Sequence, residues 1–338
     1  MKSKQHLIVP IFISHEGCPY RCSFCNQTKI TGSNEKADRA KIKETLRTHL
    51  GYLDQNRLPD FREVAFFGGS FTGISAERQE YLLCSVQPWI ISGEIQSIRV
   101  STHALYIDQT RLSLLKNYSV ETVELGIQST DNEVLRLVGR DCPFEVVQSA
   151  VSEIRKKRFR LGLQLMPGLP GDTEKRFQKS VKDVINLGPD FVRIYPTLVI
   201  KNTGLFDMYK QGTFTPWEME RMIEAVKEAI VQFEDAGIRV IRVGLYPDQS
   251  LLNNFVDGPF HPSFRYLVDS RIARDRMIHV IQTLKVIPPS ITFKVPARKL
   301  SQYVGHKKEN LSFVKSVFSL ESICVRQGSE NAHLELVA

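Results

Sequence analysis

No stretch of this 338-residue chain is long and apolar enough to span a bilayer, so no membrane partner is expected. Long repeats and low-complexity tracts are missing too, which excludes a solenoid or a purely disordered linker. Cysteine is scarce, with six residues in all, and no second CxxC or HxxxH stands elsewhere to complete the usual zinc framework. The start, "MKSKQHLIVPIFISHEG", is charged, but its apolar run is interrupted and leads straight into cysteines. Cleavage there would remove part of a first strand, so no signal peptide and a cytoplasmic location are expected. In a reducing compartment, clustered cysteines serve as metal ligands or redox groups more often than as disulfides. Lys and Arg exceed Asp and Glu by eight, a balance compatible with a polyanionic partner.

What is present is an alternation. Apolar, β-branched runs occur at 7–14, 63–69, 97–102, 122–129, 161–168, 191–200 and 238–245, and most end in Gly, Ser or Thr. Such continuous runs suit strands buried on both faces, as in a parallel sheet covered by helices. Amphipathic segments at 38–54, 75–91, 143–157, 172–187 and 215–236 separate them. The expected fold class is α/β, a partial (β/α)6 TIM-like barrel, because six or seven units are too few to close eight strands. The rhythm breaks near residue 250. The expected domains are 1–250 for the barrel, 251–290 for a connecting segment with a helix, and 291–338 for a small basic α+β domain.

Three of the six cysteines fall within eight positions in "HEGCPYRCSFCNQ": Cys18, Cys22 and Cys25, spaced CxxxCxxC directly after the first strand. Three thiolates on a short loop can each hold one iron of a [4Fe–4S] cluster and leave the fourth iron open. Zinc is the competing metal, and His15 could complete its set on spacing alone. Cys84 and Cys324 fall in helix and strand patterns that suggest core positions, and Cys142 reads as a lone buried cysteine.

The cysteine spacing, with Phe24 before the last Cys, resembles the signature of the radical S-adenosylmethionine (SAM) enzymes. "FFGGSFTG" (66–73), "STHALYID", "VELGIQS" and "LQLMPGLPGDT" are similar to later motifs of the branch holding oxygen-independent coproporphyrinogen dehydrogenase and the catalytic subunit of Elongator. "RIYPTLVIKNTGLFDMYKQG" is similar to the Elongator branch in particular, and the likeness covers about residues 7 to 270. The resemblance implies a [4Fe–4S] cluster on Cys18, Cys22 and Cys25, and SAM chelated to the open iron. It further implies reductive cleavage to methionine and a 5′-deoxyadenosyl radical that abstracts hydrogen from a substrate. Phe24, Gly68, Gly69, Ser70, Gln128 and Arg140 would contact SAM. Ser101 and Gln164 stand where the branch carries a Glu and an Asp, and could bond the ribose without a carboxylate. The first two cysteines are closer together than in Elongator subunits, and the acetyltransferase pattern that follows their barrel is not recognised.

At the far end, residues 291–310 carry five Lys/Arg against one Glu. The order strand, helix, Gly turn, helix, strand is similar to a KH RNA-binding core, in which a GxxG loop clamps phosphates. Here the loop reads "GHKK", with Gly305 kept and Lys308 in place of the second Gly. Lys294, Arg298, Lys299, Lys307 and Lys308 are the candidate nucleic-acid contacts. "RKKRFR" (155–160) reads as a solvated helix end, and His261 as a turn cap or a substrate contact. Three functions follow: a radical SAM enzyme on RNA with a tRNA base as substrate, one on a small molecule such as a tetrapyrrole, or a non-catalytic iron–sulfur RNA-binding protein. An enzyme of this kind needs a one-electron donor of flavodoxin or ferredoxin type. The sequence leaves the oligomeric state open.

Overall fold

A computed structural model of the chain describes residues 6–27, 37–53, 58–329 and 334–337. They form two compact units, residues 1–217 with 233–260 and residues 218–232 with 261–338.

The first unit is built on a seven-stranded sheet. Its strands are β1 (His6–Phe12), β2 (Phe61–Phe67), β3 (Ser97–Thr102), β4 (Val120–Gln128), β5 (Arg160–Leu165), β6 (Phe191–Ile194) and β8 (Arg239–Val243). They lie side by side in chain order and every pair is parallel. Neither outer strand pairs with the other, so the sheet is an open α/β half-barrel. Val64, Ala65 and Phe66 are buried in succession on β2, as are Ile98, Arg99 and Val100 on β3, which is the two-sided burial that continuous apolar runs encode. Helices α1 (Arg39–Gly51), α2 (Ala76–Ile91), α3 (Gln109–Asn117), α4 (Asn132–Leu137), α5 (Phe144–Lys156) and α6 (Glu174–Leu187) supply the crossovers. Five of these six starts are chemically marked. Asp38, Ser75, Asp108, Asp131 and Thr173 each accept a backbone N–H of the first turn. Gly188, at φ +60°, closes α6 in the left-handed conformation.

The run at 191–200 does not form one strand. Pro196 has no N–H for a ladder, and the chain divides into β6 and a short β7 (Val199–Ile200) that pairs antiparallel with β9 (Phe255–Asp257). Between them lie α7 (Gly204–Lys210) and α9 (Gln249–Asn254). Cys84 is exposed, because α2 buries Leu82, Leu83, Ser85 and Val86 and turns Cys84 outward; Cys324 is exposed on its strand. Cys142 is buried.

The second unit holds α8 (Met219–Asp235) up to Gln232, with α10 (Phe264–Gln282), β10 (Ser290–Pro296), α11 (Leu300–Val304), α12 (Glu309–Val317), β11 (Ser322–Gly328) and β12 (Glu335–Val337). The strand order is β11-β10-β12, parallel then antiparallel. Ile291, Phe293 and Val295 alternate inward from β10 onto Met277, Ile281, Tyr303 and Val314, while Lys294 faces out. Buried Asn310 donates to the carbonyls of Ser270 and Gln302 over 2.9 Å, which ties α12 to α10. No helix among the described residues is long and apolar enough to cross a membrane.

Candidate radical SAM site

The cysteines stand on the loop after β1, at the C-terminal edge of the sheet. Ile13 and His15 continue the ladder by donating to Phe67 O and Gly68 O, both over 2.8 Å. The loop then turns through His15 (φ +60°) and Gly17 (φ +71°). Backbone contact with the loop after β2 is so close that a Cβ on Gly69 would lie 2.5 Å from both Ile13 O and Glu16 O. Ser70 N donates to Glu16 O over 2.9 Å, and Arg78 pairs with the Glu16 carboxylate over 3.0 Å. Gly69 therefore stitches two loops together. The Nε2 of His15 accepts the N–H of Gln27 over 3.0 Å, so its lone pair serves the loop rather than a metal. Phe24 packs into two apolar clusters, one of Val134, Val138 and Leu169 and one of Val199, Leu205 and Phe214. The aromatic before the last cysteine is thus the anchor of the loop.

Each of the three sulfurs has its own hydrogen-bond donor. Ser70 Oγ reaches Cys18 Sγ over 3.7 Å, Arg140 Nη1 reaches Cys22 Sγ over 3.5 Å, and Gln27 Nε2 reaches Cys25 Sγ over 3.5 Å. Burial pushes the Cys18 thiol up, and burial together with the Cys22 charge pushes Cys25 up to about 12. A strongly cationic ligand would draw these two thiols toward thiolates. Among the described residues, no three His, Cys, Asp or Glu side chains converge on a point that would hold a single metal ion. Tetrahedral zinc would require its sulfurs about 3.8 Å apart on 2.3 Å bonds, whereas a four-iron cube gives each thiolate its own iron. The donor set fits the cube.

A cavity of about 1730 Å³ opens beside the cysteines. Cys18, Cys22, Cys25, Phe24, Gly68, Gly69, Ser70, Ser101, Gln128, Arg140 and Gln164, drawn from five strands or the loops that follow them, all line it. Gln128 is the most constrained of them. Its φ is +68°, the β4–β5 register shifts between Gly126 and Gln128, and its Oε1 is buried without a partner. A non-glycine residue in that conformation marks a strained position, and a buried acceptor with no partner on a cavity wall leaves one hydrogen bond open toward the cavity. Arg140 Nε is likewise buried and unpartnered, while its Nη2 donates to Gly126 O. Gln164 donates to Glu124 over 3.2 Å.

The ion-pair network at this wall was not legible in the linear motifs. Arg99, 1% exposed, bridges the fully buried carboxylates of Glu63 and Glu124. Arg193 pairs with Glu124 over 3.1 Å, and His6 with Glu63 over 2.8 Å. The strand runs could have signalled Glu63, Arg99, Glu124 and Arg193, since each is a charged residue in or at the edge of an apolar run.

Two profiles match this chain: that of the Radical SAM superfamily over residues 12–184 and that of the Radical_SAM C-terminal domain over residues 189–274. The chain belongs to the radical SAM superfamily, and it is an enzyme of the kind that uses a [4Fe–4S] cluster with SAM. It is 30% identical over 259 residues to a tRNA uridine(34) acetyltransferase of Methanocaldococcus jannaschii, covering 66% of this chain and 48% of that protein. It is 22% identical over 226 residues to the heme chaperone HemW of Bacillus subtilis, covering 65% of this chain and 59% of that protein. The archaeal Methanocaldococcus infernus Elp3 with an N-terminal deletion shares the fold, with a TM-score of 0.63 at 20% identity over 84% of this chain and 69% of that one. The chain spans about half the length of the curated acetyltransferases it matches.

The five basic candidates of the tail lie in the second unit. Lys294, Arg298, Lys307 and Lys308 are exposed and Lys299 is half-buried. Gly305, Lys307 and Lys308 have φ of +76°, +48° and +65°, so the "GHKK" turn holds two lysines in left-handed backbone. Lys294 lies in register with Arg326 and Glu335. His261 Nδ1 accepts Ser263 N over 3.0 Å, as a turn cap does.

Proposed function

We propose that this protein modifies RNA, with a tRNA base as substrate. When bound, the cluster and SAM supply the 5′-deoxyadenosyl radical. The chain's own residues hold the three iron-bound sulfurs, orient SAM through Gln128, Arg140, Ser101 and Gln164, and present the substrate in the same cavity.

The observation that carries this reading is the charge of the cavity wall, which bears seven arginines (21, 99, 140, 160, 193, 239 and 242) against two aspartates, with Arg160, Arg239 and Asp190 at the N-terminal edge of the sheet, away from the cysteines. Glu63 and Glu124 answer Arg99 and Arg193 from behind, and the remaining excess suits a polyanion. At about 1730 Å³ the cavity exceeds the roughly 300–1,000 Å³ of an ordinary small-ligand pocket, which leaves room for a substrate beside SAM. The likeness to tRNA-acting relatives and the basic second unit support the same choice. A donor of flavodoxin or ferredoxin type would deliver the electron. A tetrapyrrole is the second reading, since arginines also receive carboxylates and HemW is among the relatives.

The test is nucleoside mass spectrometry of RNA from a deletion strain against its parent. One lost modified nucleoside, restored by the wild-type gene and not by the Cys22→Ala gene, is expected. An unchanged nucleoside profile would rule out RNA.

A further inference from the structure

A row of cavity-facing residues crosses the sheet. Gly126, Gln164, Arg193 and Arg242 are successive register partners on β4, β5, β6 and β8, and all four line the cavity. Neighbouring strands lie about 4.8 Å apart, so the last two bring like charges side by side on one face. Arg193 is committed: its Nε pairs with Glu124 over 3.1 Å, its Nη1 donates to Tyr195 over 3.1 Å, and its guanidinium covers the Phe67 ring.

Arg242 is different. Its Nε donates to Gly244 O over 3.0 Å, and no carboxylate lies within ion-pair distance among the described residues. Its guanidinium stands 5.9 Å from the ring centroid of Tyr246. That ring is 69% exposed, although the loop carrying it is firmly held. Gly244 N donates to Ile194 O over 3.0 Å, Leu245 packs on Leu198, Ile200 and Leu251, and Asp248 caps α9 over 2.7 Å. A fixed loop that presents an aromatic face to solvent beside a half-buried, unanswered guanidinium has the parts that bind a phosphate and an unstacked base.

We propose that Arg242 and Tyr246 bind one nucleotide of the substrate at the cavity wall, Arg242 taking its phosphate and Tyr246 stacking on its base. This rests on the RNA reading and names the residues that would select for it. Among the described residues no hydrogen bond joins either side chain to the three cysteines, so the pair acts on substrate and leaves the cysteine loop alone.

The experiment is a salt titration of tRNA binding to the anaerobically reconstituted full chain with SAM. Arg242→Gln is expected to weaken binding about tenfold or more, since a charge-assisted contact is lost. It should also lower the slope of log affinity against log salt by about 0.7 to 0.9, the share of one phosphate, while Arg242→Lys keeps the slope. Tyr246→Ala should weaken binding by about 5- to 100-fold at an unchanged slope, and Tyr246→Phe should bind like wild type. Wild-type affinity and slope in both Arg242→Gln and Tyr246→Ala, with tRNA still bound, would overturn this assignment and leave the RNA reading standing. No tRNA binding by the wild-type chain would overturn the RNA reading and this assignment with it. Coproporphyrin III bound by wild type and lost in Arg242→Gln, in place of tRNA, would make the pair a carboxylate clamp instead.

Discussion

Arg140 donates through Nη1 to the sulfur of Cys22 over 3.5 Å, and its other terminal nitrogen holds Gly126 O on β4. One side chain thus couples the cysteine loop to the strand end that carries Gln128. Hydrogen bonds to a cluster sulfur stabilise the reduced, more negative state and raise the reduction potential. Arg140→Gln should therefore lower the potential by on the order of 60 mV, one tenfold step for a one-electron couple. An EPR-monitored redox titration reads it, and an unchanged potential would mean the contact is not made in the loaded enzyme.

Gly69→Ala would place a methyl 2.5 Å from two backbone oxygens of the cysteine loop. Backbone atoms cannot rotate away as a side-chain end can, so the loop must shift. A loss of about 1–3 kcal/mol is expected, with iron content after reconstitution well below wild type. Full iron loading at wild-type thermal stability would show that the loops separate freely.

His103 has a pH signature. Its Nδ1 accepts Leu105 N over 3.2 Å, and burial, then Arg140, pushes its pKa down to about 3. The unfolded chain binds this proton near pH 6.5 and the folded chain does not. Stability is therefore intact above 6.5 and is lost as pH falls toward 3. Between pH 7.5 and 5.5 the wild type should lose about 1 kcal/mol more than His103→Gln, by proton linkage. Denaturant titrations of both at the two pH values check it, since acid loss of the cluster is common to the pair. Equal losses would place the His103 proton elsewhere.

The basic turn can be tested apart from the cavity. If Lys307 and Lys308 meet phosphates, Lys307→Ala with Lys308→Ala should reduce the salt slope of tRNA binding by roughly 1.4 to 1.8. Formation of 5′-deoxyadenosine without substrate should not change. Parallel slopes for double mutant and wild type would make the second unit a basic cap.

Local chemistry was legible where one segment carries it. The CxxxCxxC loop, the βα alternation and the helix caps each occupy neighbouring residues, so their meaning survives in one dimension. The break of the sixth strand was written there too, in Pro196, but the apolar run around it masked the signal. Gln27 on Cys25 was missed because nothing in a lone glutamine two residues past a cysteine announces a donor. Ser70 and Arg140 were noticed for SAM, yet in the fold each also reaches a sulfur, a role that depends on how the loops after β1, β2 and β4 meet.

The sequence by itself showed the family resemblance, the clustered cysteines and an α/β half-barrel, because motifs, spacing and periodicity are properties of the chain alone. Only the tertiary structure decided which side chains stand together: a donor on each sulfur, Arg99 between two buried carboxylates, and Arg193 beside Arg242. The reason is register. A shift of one residue turns a side chain to the opposite face, and the irregularities at Gly126/Gln128 and Val192/Arg193 set which residues face the cavity.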